Sequence, residues 1–174
     1  HSLIQEGIEL KDLYLNLFQR SLYEVGSKWE CDEISVATEH LATSITSRLM
    51  SLAYPMLFST EKNGNRVIVS SIANQYPELR GRMLADALEN KGRNSYFLGA
   101  NTPVSELIDL IAEKNPNLVA LSVAVYMNVN ELDKALKTIN REYPDLPVAV
   151  GGQAFSWGGE GNFNSYSNCR VFND

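Results

Sequence analysis

The sequence predicts an α/β chain in which a helical bundle segment precedes a doubly wound parallel sheet. Two observations carry this. Up to about residue 58 the apolar residues recur at helical spacing. Beyond a polar stretch, Ser59-Thr-Glu-Lys-Asn-Gly-Asn65, short β-branched runs alternate with amphipathic helices, and strands spaced roughly 20 to 30 residues apart imply parallel crossovers.

The elements follow in order. HSLIQEGIEL reads as the tail of a helix stopped at Gly7. Leu10, Leu13, Tyr14, Leu17, Phe18, Leu22 and Val25 form the stripe of a helix expected to stop at Gly26. A second helix begins near Ile34 with Asp32 as N-cap, and its apolar face is Ile34, Ala37, Leu41, Ile45, Leu49 and Leu52. Pro55 limits its regular run. Too few helices are present to bury their own apolar faces, so a further helix or the second domain must cover them, and the chain reads as a fragment. The polar stretch has turn chemistry. RVIVSSIA is a strand buried on both faces. Helix ELRGRMLADALENKG ends at Gly92, strand SYFLG follows, and Pro103 opens helix VSELIDLIAEKN. Strand LVALSVAV, helix NELDKALKTINREY and strand PVAVGG come next, with CRVF as a fifth strand. Residues 1–58 form the helical capping unit and residues 66–174 the sheet unit. In such sheets ligands bind beyond the carboxyl ends of the strands. The loops that matter are then Ala73–Arg80, Gly99–Thr102, Ala124–Asn130 and Gly151–Gly161.

Composition narrows the function classes. The 174 residues are 44% hydrophobic and 21% charged, with a net charge of −6. That acidic balance argues against a nucleic-acid grip by this surface. No apolar run reaches the ~20 residues of a membrane span, and no signal peptide is visible. Cys31 and Cys169 are too few and too far apart for a disulfide framework or a zinc site, which suits a reducing cytoplasm.

Few residues carry chemistry. GxGxxG, GxxxxGK[ST] and G-x-S-x-G are all absent. Asp86, Asp109 and Asp133 fall within helix patterns and read as solvated faces. Nine residues separate Trp29 from the adjacent pair Glu39-His40, and His40 is the only histidine besides His1. A Glu and a His side by side near a Trp can be aimed together at one bound group, although an ordinary polar pair above a bundle core has the same spacing. Gly151-Gly152 allows close backbone approach by a ligand or simply a tight turn. SWGGEGNFNSYSNC, with its glycines among aromatic and amide residues, reads as a flexible binding loop or simply a loop.

Taken together, these segments resemble the cobalamin-binding sensor module of cobalamin-dependent photoreceptor repressors, and more loosely the corrinoid domains of methyltransferases. LYEVGSKWECDEISVATEHLATSI and GRMLADALENKG carry the likeness, which runs from about Leu10 through Gly151-Gly152. It implies a partial four-helix bundle followed by a flavodoxin/Rossmann-like sheet, with a tetrapyrrole between them. By the same likeness Trp29, Glu39 and His40 line the upper face of the ligand, while Ser122, Gly151 and Gly152 accommodate its nucleotide tail. The chain departs from the family in the lower-face motif D-x-H-x-x-G, where it has Gln75, Pro77 and Arg80, and Pro77 cannot ligate a metal. The His that follows the Trp in the photoreceptors is Glu30 here.

Three readings follow. One is a sensory, non-enzymatic domain, light-sensing by resemblance, that holds cobalamin without a histidine ligand. Its variant ligand is a linear biliverdin-type bilin served by Trp29, Tyr76, Tyr126, His40 and Arg80, with Cys31 as a conceivable attachment point; haem is a weaker fit. The second is a cofactor-free regulatory or oligomerisation domain with its pocket filled by Tyr76, Pro77 and Tyr126. The third is a corrinoid methyl carrier. The expected partners are the tetrapyrrole, a further copy of the chain and an output domain outside it.

Overall fold

The computed structural model describes residues 7–56, 61–72, 79–99, 101–123, 126–156 and 163–172. A wide π-helical segment, Asp12–Gln19, runs on into α1 (Arg20–Glu30). Its inner side buries Leu13, Tyr14 and Phe18, while Leu17 faces solvent. Gly26 does not stop the helix; one glycine costs only about 1 kcal/mol there. The stop lies six residues later, where Asp32 takes φ 57° and Glu33 N–H donates to Lys28 O at 2.9 Å. That closure is a Schellman-type end, which a short polar side chain tolerates.

The N-cap of α2 (Val36–Ala53) is therefore Ser35 and not Asp32. The Ser35 side chain accepts from Thr38 N–H at 3.2 Å. The apolar stripe of α2 is not the side that its neighbours cover. Leu41, Ile45, Leu49 and Leu52 are exposed, and Thr46, Met50 and Ala53 are buried instead. Small and hydroxylated residues let α2 sit close to its neighbours, and helical spacing alone cannot tell which of two faces has a neighbour.

The sheet is entirely parallel, in the order β2-β1-β3-β4-β5. Its strands are β1 (Arg66–Ser71), β2 (Asn94–Phe97), β3 (Leu118–Ser122), β4 (Val148–Gly151) and β5 (Cys169–Phe172). The expected fifth strand is present. The connecting helices are α3 (Leu79–Asn90), α4 (Val104–Lys114) and α5 (Val129–Glu142), with a short α6 (Gln153–Ser156) after β4. The Asn63-Gly64 turn enters β1 through an Asn63 side chain that accepts from Asn65 N–H at 3.0 Å. Gly92 ends α3 at φ 79°, where a Cβ would lie 2.6 Å from Glu61 O.

The two faces of the sheet are treated differently. On one, Ile68, Val119, Leu121, Val148 and Val150 pack against Leu107, Ile111, Leu132, Leu136 and Ile139 of α4 and α5. Phe155 and Phe163 meet edge to face at 6.0 Å in the same core. On the other, only α3 among the sheet helices lies over the strands, through Ala85 against Val67, Val69 and Ala120. The register aligns Ser71, Ser122, Gly151 and Phe172 as one row near the carboxyl edge.

Candidate functional site

Beside α3, on that second face, small side chains leave a hollow. Ala120, Ser122, Ala149, Gly151 and Gly152 form its floor, Gly81, Leu84, Ala87 and Leu88 of α3 form one wall, and Lys11, Tyr14 and Leu15 form another. The cavity has a volume of about 1060 Å³, the upper end of what small-molecule sites use. It reaches the carboxyl edge of the sheet, where parallel doubly wound sheets bind ligands. Gly152 is there for a physical reason. Its φ is 121°, and a Cβ would lie 2.3 Å from Val123 O. Gly81 lets α3 approach the sheet, since a Cβ would meet Phe97 Cε2 at 2.9 Å and Ser71 Oγ at 3.2 Å.

Four of the expected site residues, Arg80, Ser122, Gly151 and Gly152, line this one cavity. The Arg80 guanidinium also stands 4.8 Å from the centre of the Tyr23 ring on α1, a cation–π contact tying the hairpin to the first turn of α3. Trp29, Cys31, Glu39 and His40 do not line the cavity. Trp29 lies six residues beyond Tyr23, about 9 Å further along the helix. On α2, Ser47 and Ser51 are held by Arg82, and Tyr54, just past the end of α2, reaches Glu89. The earlier residues of α2 thus meet the earlier residue of α3, and the residue just past α2 meets the later one. His40, seven residues before Ser47, is about 10 Å nearer the start of α2. Glu39 accepts from Thr43 Oγ1 at 2.9 Å, and its Oε2 lies 3.5 Å from His40 Nε2. Trp29 is 45% exposed and offers a flat apolar surface. Cys31, just past the end of α1, is exposed with a free thiol. Gln75, Tyr76 and Pro77 lie outside the described residues, and Tyr126 belongs to the turn Tyr126–Asn128, its side chain outside them.

The sequence reading missed the polar seam between α3 and the helical segment. Asp86, expected on a solvated face, is only 4% exposed. Tyr14 Oη donates to Asp86 Oδ2 at 2.6 Å. Burial pushes the Asp86 carboxyl up from its ordinary range, against the pull of Tyr14 and Arg82, and burial with the Asp86 partner pushes Tyr14 up as well. The signal was available: Leu79, Met83 and Asp86 share one stripe at helical spacing, and Leu79 and Met83 are buried against Leu10, Leu13, Phe18 and Met50.

The chemistry of the cavity fits the nucleotide arm of a corrinoid, which needs a deep hollow with small residues at its floor and polar groups at its mouth. It does not fit a bare metal ion: among the described residues no group of three His, Cys, Asp or Glu could hold one. No helix among them is long and apolar enough to cross a membrane.

Comparison with known proteins agrees with this geometry. Two models described as "B12 binding domain" match the chain, one over residues 65–161 and one over residues 1–54. The chain is 27% identical over 135 residues to the HTH-type transcriptional repressor CarH of Myxococcus xanthus, covering 76% of this chain and 44% of CarH. It is 29% identical over 119 residues to the repressor CarA of the same organism, covering 68% of this chain and 41% of CarA. The chain thus spans under half the length of these curated relatives. Among solved structures, the monomethylamine corrinoid protein of Methanosarcina barkeri superposes with a TM-score of 0.80 at 15% identity, over 99% of this chain and 82% of that one. The methanol:cobalamin methyltransferase complex of the same organism superposes with a TM-score of 0.57 at 13% identity, over 98% and 65%. These two likenesses establish the fold, an open parallel sheet preceded by helices. Since the model over residues 65–161 takes in more than half of the chain, the chain belongs to the B12-binding domain family.

Proposed function

We propose that this chain is a sensory cobalamin-binding domain that holds its ligand without a histidine to cobalt from the sheet side, and that light is the signal. The observation that supports the reading is the cavity at the carboxyl edge of the sheet, with Ser122, Gly151 and Gly152 at its floor and Arg80, Tyr14 and Leu15 on its walls. Ser122, Gly151 and Gly152 would admit the nucleotide arm, Arg80 would face its phosphate, and Trp29 would cover the upper face of the ring. When bound, cobalamin supplies the light absorption. The chain's own part is to bind, to shield and to let the hairpin move against the sheet. A sequence with no histidine anywhere from residue 73 to residue 81 supports a ligand held by shape and polar contacts and not by an imidazole. The repressor relatives support regulation over catalysis, with the output carried by a segment beyond this chain or by self-association.

The test is the absorption spectrum of the purified chain after incubation, separately, with hydroxocobalamin, biliverdin and haem, followed by desalting. Retained corrin absorption that shifts in Trp29→Ala and His40→Ala supports the reading. Retention of biliverdin alone would move the ligand to a bilin. No retained pigment from any of the three would leave a cofactor-free regulatory domain. Pro77→His should alter the corrin spectrum by adding an imidazole below the ring. Corrin retained with an unchanged spectrum in all three variants would show that the assigned face is wrong.

A further inference from the structure

Helix α3 is shared between the cavity and the helical segment. One side of it, Gly81, Leu84 and Leu88, walls the cavity. The other side carries Arg82, Asp86 and Glu89, at i, i+4 and i+7, each hydrogen-bonded to a different part of the helical segment. Apolar contacts between two helices tolerate sliding, whereas directional bonds fix register, a role that buried polar groups fill elsewhere. Of these bonds only Tyr14–Asp86 is buried, with Tyr14 3% and Asp86 4% exposed. Tyr14 also lines the cavity, so whatever fills the cavity lies against the latch itself.

We propose that Tyr14 and Asp86 form a latch that sets the register of the α1–α2 hairpin on α3, and so positions the Trp29/Glu39/His40 face over the cavity. The inference rests on the proposed cobalamin reading for its binding arm. Tyr14 and Asp86 are positioning residues: the seam holds the hairpin, and the hairpin meets the ligand.

The experiment compares the wild-type chain with Tyr14→Phe, Asp86→Asn and the core control Ile139→Val. Hydroxocobalamin affinity is measured by spectral titration, and backbone amide exchange is measured without ligand. Tyr14→Phe removes one hydroxyl and leaves the ring against Phe18, 5.7 Å away between centroids. It should speed exchange across residues 20–53 while leaving α4 and α5 unchanged, and weaken hydroxocobalamin binding about tenfold, equivalent to ~1.4 kcal/mol. Asp86→Asn still accepts from Tyr14 and should restore both readouts to near wild type. Ile139→Val should lower Tm without touching either. Hairpin exchange unchanged in Tyr14→Phe, or Asp86→Asn as impaired as Tyr14→Phe, would overturn the latch. Failure of the wild type to bind hydroxocobalamin would count against the functional reading, and the exchange arm would still decide the latch.

Discussion

Gly152→Ala is the substitution whose consequence can be worked furthest. The residue follows β4 with φ 121°, a region that side-chain-bearing residues rarely adopt. A Cβ there would stand 2.3 Å from Val123 O and 2.9 Å from both Val123 C and Val123 N. All three are backbone atoms, so no rotamer change relieves the overlap. The ends of β3 and β4 would have to part by about 1 Å to reach ordinary contact distances. The bonds at risk are Val123 N–H to Gly151 O at 2.9 Å and Ala154 N–H to Val123 O at 3.1 Å. Backbone strain of ~1–3 kcal/mol and about 1 kcal/mol for each of the two weakened bonds give a loss of roughly 3–5 kcal/mol. For a chain of this size that lowers Tm by about 6–20 °C. Differential scanning calorimetry measures it. Gly151→Ala is the internal comparison, because its Cβ would meet only Phe172 O at 3.3 Å and Phe172 Cβ at 3.8 Å; it should cost under about 1 kcal/mol. Equal Tm values for the two variants would refute the reasoning.

Three further outcomes are expected. Ser122→Leu places a larger side chain in the cavity mouth with little change in Tm, and should cut hydroxocobalamin binding in equilibrium dialysis by tenfold or more, about 1.4 kcal/mol; unchanged binding would put the ligand elsewhere. Met83→Ala opens a hole in the apolar contact between α3 and the helical segment, and should destabilise by roughly 2–4 kcal/mol in urea unfolding. Asp86→Asn should show a pH-dependent effect. The folded Asp86 carboxyl holds its proton more tightly than in the unfolded chain, so its contribution to stability falls as pH rises through the raised folded value. The Asn variant should therefore gain stability relative to wild type at neutral pH, and that gain should shrink on acidification and vanish below the ordinary carboxylate range. Urea unfolding at several pH values checks it, and a difference independent of pH would contradict the assignment.

Much of the fold was legible because its signals are local. RVIVSS and LVALS announce strands buried on both faces, Gly92 marks a stop that needs positive φ, and Asn63-Gly64 closes a turn with its own side chain. Ser122 and Gly151-Gly152 were legible through resemblance and fall in the cavity. What failed, failed for physical reasons. Gly26 was read as a stop, but a helix with tertiary support carries one glycine. The Leu41, Ile45, Leu49 and Leu52 stripe was read as an apolar face to be covered by a further helix or by the sheet unit, and the sheet unit does not cover it: the neighbours of α2 lie on its Thr46, Met50 and Ala53 side. Asp86 was read as solvated because charge was weighed above position in the stripe.

By itself the sequence determined the kind and order of elements, five strands with their intervening helices and a polar break after the helical segment. Periodicity, β-branching and turn residues act over a few residues, and each states its meaning without reference to distant parts. Only the tertiary structure decided the strand order, the face that α3 covers, the hollow beside it and the burial of Asp86 beneath Tyr14. Those depend on which surfaces meet across 72 positions of chain, and burial, unlike periodicity, is a property of the pair and not of either partner.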